Sequence, residues 1–265
     1  MQLWDIFITQ PMVNSLMFLY QLLFNNFTLS IVVFTVLVRA LTYPLTYQQQ
    51  KATKALTELQ QSDRWKKMQE KYGKDREKMS QEQMKLMQEA GVNPFGSCLP
   101  TLIQFPILIG LYQAITRAMA VSPLQLLDLS QQLYKFLPNA ATIIPLDNKF
   151  LWLNLGLPDP YFVLPLLVVV TSYVQSKMMT PATGGAGDPQ MQQTTQMMGP
   201  MMAVMFGWIS LNFPSGLSIY FVVANLIGVA QYALTTPVDW KNIFSLDFLG
   251  LPARAPAVPE KKKKK

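Results

Sequence analysis

Five stretches of this chain, residues 27–47, 98–121, 161–179, 197–213 and 217–236, are apolar and almost free of charge. A helix needs about 20 such residues to cross a hydrocarbon core of about 30 Å at about 1.5 Å per residue. The stretches meet that demand, and a soluble globule has no comparable use for five of them. Composition agrees: of 265 residues, 50% are hydrophobic and 14% charged, against roughly a quarter charged in an ordinary soluble domain. The expected fold is therefore all-α, a polytopic membrane protein with five transmembrane helices. Between the last two stretches stands only Pro214-Ser215-Gly216, enough for a tight turn, so these two helices should form an antiparallel hairpin.

The basic residues orient the bundle, because Lys and Arg are retained on the cytoplasmic side. With the N-terminus outside, residues 48–95, the linker at Lys177 and the tail after residue 236 are cytoplasmic and hold 18 of the 22 Lys and Arg. The outer segments hold three, Arg117, Lys135 and Lys149, and the remaining one, Arg39, lies inside a span. The formal charge of +7 is thus an orientation signal: N-terminus outside, C-terminus in the cytoplasm.

The segments between spans have distinct characters. Residues 1–26 carry no basic residue, unlike a secretory signal. Val13, Leu16, Met17, Tyr20 and Leu23 recur there at helical spacing with Asn14, Ser15 and Gln21 between them, which indicates an amphipathic helix on the outer interface. The alternative is an apolar extension of the first spanning helix. Residues 48–95 are polar and helical in period, interrupted at Gly73 and ended by Asn93-Pro94, so a cytoplasmic helical hairpin is expected. Its narrow apolar stripe includes Met68, Met79, Met84 and Met87, an adaptable surface for a partner. Residues 122–160 form an outer connector with a short helix through Leu124 to Phe136, and residues 180–196 a mobile cytoplasmic loop. The tail, 237–265, ends in five lysines, which either remain solvated or attract anionic lipid or ribosomal RNA.

The residues that are missing narrow the chemistry. There is no histidine, and Cys98 is the single cysteine, which removes His-based catalysis, His or multi-Cys metal ligation and any intrachain disulfide. No phosphate-binding glycine loop occurs, and no cofactor or metal is expected. Arg39 stands out instead. It lies 12 residues into its span, about 18 Å along the helix, where an arginine costs about 2.5–3.5 kcal/mol even on the lenient insertion scale. Snorkelling to the cytoplasmic interface is one resolution. The other is a watery cavity shared with Thr35, one turn away, and with the amides of Gln104, Gln175, Asn225 and Gln231 on other helices. No spanning segment offers an Asp or Glu to pair with it, which also weakens a proton-coupled transporter, since such pumps use membrane carboxylates or histidines.

Four runs carry a family resemblance: Val38-Arg39-Ala40-Leu41-Thr42-Tyr43-Pro44-Leu45-Thr46; Val92-Asn93-Pro94-Phe95-Gly96-Ser97-Cys98-Leu99-Pro100; Leu102-Ile103-Gln104-Phe105-Pro106; and Phe213-Pro214-Ser215-Gly216-Leu217. In this order and with this topology, residues 27–236 resemble the YidC family of membrane protein insertases, which includes mitochondrial and chloroplast relatives. The resemblance implies a five-helix core with a groove open to cytoplasm and lipid and closed outside. Arg39 would be the groove arginine, Thr35 its polar neighbour and Tyr220 the aromatic position of the last helix. The second and fourth spans would form an apolar slide for client segments. The resemblance is to the short form of the family, for which neither the large outer domain nor a lipoprotein cysteine at the start is expected. The implied activity is non-enzymatic insertion and chaperoning of nascent membrane proteins in a bacterial plasma (inner) membrane. The implied partners are those clients, the ribosome, the Sec translocation channel and anionic lipids, and no DNA. The rival reading is a small-solute or anion channel in which Arg39 sets selectivity.

Overall fold

A computed structural model of the chain describes residues 2–72, 75–91, 99–119, 123–134, 146–179 and 189–235. The interruption expected at Gly73, the Asn93-Pro94 stop, Cys98 and the tail after residue 236 lie outside the described residues.

Helices dominate. The N-terminal segment is helical from Gln2–Trp4 (α1) through a π-helical turn, Asp5–Thr9, into Gln10–Leu22 (α2). A turn leads to Phe27–Gln61 (α3), whose first turn is capped by Asn26, its Oδ1 accepting from the Leu29 amide at 3.0 Å. At 35 residues, α3 is about 52 Å long, well beyond a hydrocarbon core of about 30 Å. One helix therefore runs across residue 47, where the sequence reading divides a spanning segment from a cytoplasmic one. Pro44 lies inside it and removes one ladder bond. On either side the hydroxyls of Thr42 and Thr46 bond back to the carbonyls of Val38 and Thr42, at 2.8 and 3.1 Å.

Asp63–Tyr72 (α4) and Arg76–Glu89 (α5) pack on each other through Trp65, Met68 and Met79, all buried. Of the methionine stripe, Met68 and Met79 thus close the hairpin itself, while Met84 remains exposed. Leu99–Ala118 (α6) and the short Pro123–Gln132 (α7) follow. A two-residue β-ladder then departs from an all-α fold: β1 (Lys149–Phe150) pairs antiparallel with β2 (Lys149 opposite Asn154, Phe150 opposite Leu153), β2 being Leu153–Asn154. Val163–Met179 (α8), Pro189–Asn212 (α9) and Ser215–Thr235 (α10) complete the bundle. Residues 189–196, expected in a loop, belong to α9. Gln and Met are good helix formers that outnumber the two less favourable Thr here, and Pro189 sits at the helix start, where its missing N–H costs nothing.

The core lies where α2, α3, α6 and α10 meet, with Leu16, Met17, Ile31, Leu111, Ile115 and Leu217 almost fully buried. The N-terminal stripe is a protein-packing face: Val13, Leu16, Met17 and Tyr20 are buried against the bundle. Asn14, between them, is buried too, donating to the Gln132 carbonyl at 3.1 Å and accepting from the Tyr134 amide at 2.7 Å. The last two helices are joined by Phe213-Pro214 alone, yet each packs mainly on α8, which lies along both. Gly207 allows this on α9, since a Cβ there would overlap Val169 of α8. The segment following β2 binds the start of α10: the Ser215 amide donates to the Leu157 carbonyl at 2.8 Å and the Gly216 amide to that of Leu155 at 3.1 Å. By length and apolar composition, two of the described helices, Phe27–Gln60 and Ser215–Thr235, suffice to cross a membrane, and Val163–Met178 is apolar but shorter.

Candidate functional site

A cavity of about 300 Å³ opens among α3, α6, α8, α9 and α10. From α3 it receives Arg39 and, continuing down the same face, Thr42, Thr46, Gln49 and Gln50. Arg39, Thr42, Thr46 and either Gln49 or Gln50 are three or four residues apart, the spacing that keeps side chains on one helical face. Helix α6 contributes Gln104, α8 contributes Ser172, Gln175 and Ser176, and α10 contributes Tyr220 and Asn225. Met202, Ala203 and Phe206 of α9 make the apolar side. Leu45, Ile107, Phe221 and Ala224 add apolar surface on the other walls, so the polar groups are set within a largely apolar lining.

Its polar groups are held by bonds between helices. Gln104 Nε2 donates to the Tyr220 hydroxyl, joining α6 to α10. Asn225 Nδ2 donates to Ser172 Oγ at 2.8 Å and Thr171 Oγ1 at 3.1 Å, joining α10 to α8. The Gln175 amide lies against Gly228, where a Cβ would overlap it. Near the far end, Thr235 Oγ1 donates to Gln50 Oε1 at 2.8 Å, joining α10 to the extension of α3. The Arg39 side chain is half-buried and makes no ion pair or hydrogen bond with another described residue. The described lining contains no carboxylate, so Arg39 gives the cavity an uncompensated positive charge.

Of the residues singled out in the sequence, the fold brings Arg39, Gln104, Gln175, Tyr220 and Asn225 to this one cavity. Thr35 lies outside the lining: it is fully buried, and its hydroxyl donates to the Ile31 carbonyl of its own helix at 2.6 Å. Thr42, Thr46, Ser172 and Ser176 were missed. The signal that finds them is the repeat of polar residues every three or four positions from Arg39 and around Gln175. Gln231 does not line the cavity, and its side-chain oxygen is buried without a partner.

A long helical bundle in which apolar helices surround a positively charged cavity has the build of a membrane-embedded protein. Comparison with known proteins places it more closely. Residues 18–239 match the family described as 60Kd inner membrane protein, and the chain belongs to that family, the YidC family of the sequence reading. It is 36% identical over 243 residues to the membrane protein insertase MisCA of Bacillus subtilis, covering 90% of this chain and 81% of that one. It is 35% identical over 236 residues to membrane protein insertase YidC 2 of Bacillus anthracis, covering 88% and 80%. Against a solved active YidC insertase crystal structure with its first transmembrane domain resolved, identity is 26% and the TM-score 0.53. That match covers 80% of this chain and 42% of the other. A membrane location follows from the family.

Proposed function

We propose that this chain is a membrane protein insertase and chaperone that works by solvation, without covalent chemistry. A hydrophilic tail of a nascent membrane protein enters the cavity from the cytoplasm. The amides and hydroxyls of Gln104, Ser172, Gln175 and Asn225 replace part of the water the tail would lose, since an unpaired polar group in an apolar medium costs several kcal/mol, about 2–7. Arg39 attracts acidic tail residues. The following apolar segment leaves sideways along α6 and α9, driven by roughly 0.8 kcal/mol per CH₂ buried in lipid. The observation that carries this reading is the uncompensated Arg39 in a cavity whose other polar groups are neutral.

The reading places five spans, α3, α6, α8, α9 and α10, in a bacterial plasma membrane. The starts of α3, α8 and α10 face outside, and the α4–α5 hairpin faces the cytoplasm. Its partners are nascent membrane proteins, the ribosome and anionic lipids at the basic tail, and the Sec translocation channel. The insertase names of the relatives do not favour a channel.

Site-specific photocrosslinking from α6 and α9 during translation of a short membrane protein tests the reading. Adducts between those helices and the client's apolar segment are expected. Their absence, together with ion conduction by the purified chain in a planar bilayer, would instead establish a pore.

A further inference from the structure

Four described non-glycine residues have positive φ: Phe24 (φ 56°), Asn25 (φ 56°), Leu151 (φ 55°) and Phe162 (φ 58°). Asparagine enters this left-handed region readily, but bulky apolar residues do so at a steric cost. The three apolar ones are also highly exposed, Phe24 at 94%, Leu151 at 76% and Phe162 at 61%. In water this combination gains nothing: glycine or asparagine would relieve the backbone and hide no less apolar surface. Strain kept at an exposed position points to a use for the side chain it presents.

The three turns share one end of the bundle. Phe24 lies between α2 and the start of α3, Phe162 immediately precedes α8, and Leu151 is in the β1–β2 turn that is tied to the start of α10. Two of the turns are one rigid unit. The buried Asp159 carboxylate accepts from Trp152 Nε1 at 3.3 Å, from the Tyr161 amide at 3.1 Å and from the Leu164 amide at 2.7 Å. The Trp152 and Tyr161 rings meet edge to face, 6.5 Å between centroids. The unit therefore presents Leu151, Trp152, Tyr161 and Phe162 together, two aliphatic or aromatic tips beside two rings with polar handles. Tryptophan and tyrosine with that build favour the boundary between headgroups and acyl chains.

We propose that the Leu151-Trp152 and Tyr161-Phe162 turns, with Phe24, are a membrane anchor whose tips sit in the outer leaflet and set the depth at which the cavity hangs in the bilayer. The occupant is lipid, because the tips emerge at the ends of membrane-spanning helices, where acyl chains are the adjacent apolar phase. The inference rests on the orientation given under Proposed function, with these helix starts outside.

The full chain in a Cys98→Ser background, reconstituted in vesicles of phosphatidylethanolamine and phosphatidylglycerol, provides the test. Single cysteines at Phe24, Leu151 and Phe162, and at the exposed polar controls Asp147 and Lys149, carry an environment-sensitive fluorophore. Nitroxides on the upper acyl chain should quench the three tips at least about twofold more than the controls; equal quenching at all five overturns the anchor. A Phe24→Asn, Leu151→Asn, Phe162→Asn variant gives a second reading. If the tips are buried among acyl chains, the variant should be less stable than the parent in vesicles; a gain there, which relief of backbone strain alone would give, also overturns the proposal. An impermeant thiol reagent on Lys149→Cys reports the orientation separately, and quenching requires no client, so failure of the insertase reading is distinguishable.

Discussion

Gln104 of α6 donates its side-chain N–H to the hydroxyl of Tyr220 on α10, two positions 116 residues apart in sequence, at the wall of a cavity that also holds Arg39. The contact between α6 and α10 is otherwise slight. This bond therefore fixes the spacing of two cavity walls and the direction of the Tyr220 ring. Gln104→Ala and Tyr220→Phe each delete it, so their effects should not add. A net hydrogen bond of about 1 kcal/mol predicts a coupling of about 0.5–1.5 kcal/mol in a double-mutant cycle, read from unfolding in detergent and from insertion rate. Strict additivity would show that the two side chains act independently.

Arg39→Ala should slow insertion of clients with acidic tails by about fivefold relative to neutral-tailed ones, the equivalent of about 1 kcal/mol for a hydrated ion pair. Arg39→Lys, which keeps the charge, should retain most of the difference. Equal rates for both client types in reconstituted vesicles would sink the charge-attraction step and leave the cavity a purely neutral solvating site.

Insertion should be nearly independent of pH between about 6 and 8, where histidine is the side chain that ordinarily titrates. The chain has no histidine, and no carboxylate is among the described lining residues. A bell-shaped or sigmoidal profile in that range, measured with a client whose own tail carries no histidine, would require a titrating group from elsewhere in the assembly.

Gly228→Ala separates helix propensity from cavity shape. Propensity alone favours alanine by about 1 kcal/mol, but here a Cβ would overlap the Gln175 amide. The single variant should therefore insert clients more slowly by displacing that amide, and Gly228→Ala with Gln175→Ser should recover activity beyond that of Gly228→Ala. If Gly228→Ala is as active as the parent, the Gln175 amide is free to move aside.

The N-terminal helix is clasped to α6 by polar bonds. Arg117 pairs with Asp5 at 2.6 Å and donates to Gln132 Oε1 at 3.0 Å, while Gln113 Oε1 accepts from Trp4 Nε1 at 2.7 Å and Thr9 Oγ1 at 2.9 Å. About a third of each charged side chain is exposed, so Arg117→Gln should cost about 1 kcal/mol or less and the loss should shrink with salt. Combined with Gln113→Ala, it should expose residues 2–9 to proteolysis while the buried face of α2 holds the rest. Unchanged cleavage would mean that apolar packing alone retains this segment.

Much of this protein is local in its sequence. The apolar stretches, the placing of the basic residues and the isolation of Arg39 are properties of single segments, and they sufficed for a helical membrane protein of the YidC family with a polar site. Arg39 announced itself because a charge among apolar neighbours needs water or a partner wherever the helix packs. What could not be read locally was the rotation of each helix about its axis. Thr35 and Thr42 stand on either side of Arg39, yet only Thr42 faces the cavity, because Ile31, Phe34 and Thr35 turn into the packed face with α10 and α2. The amphipathic stripe of α2 is equally suited to lipid or protein, and α3 and α6 claim it because Gly110 lets α2 and the preceding turn approach closely. Hydropathy is set residue by residue, whereas the face a helix presents depends on which distant surface fits against it, and that complementarity exists only once the helices are assembled.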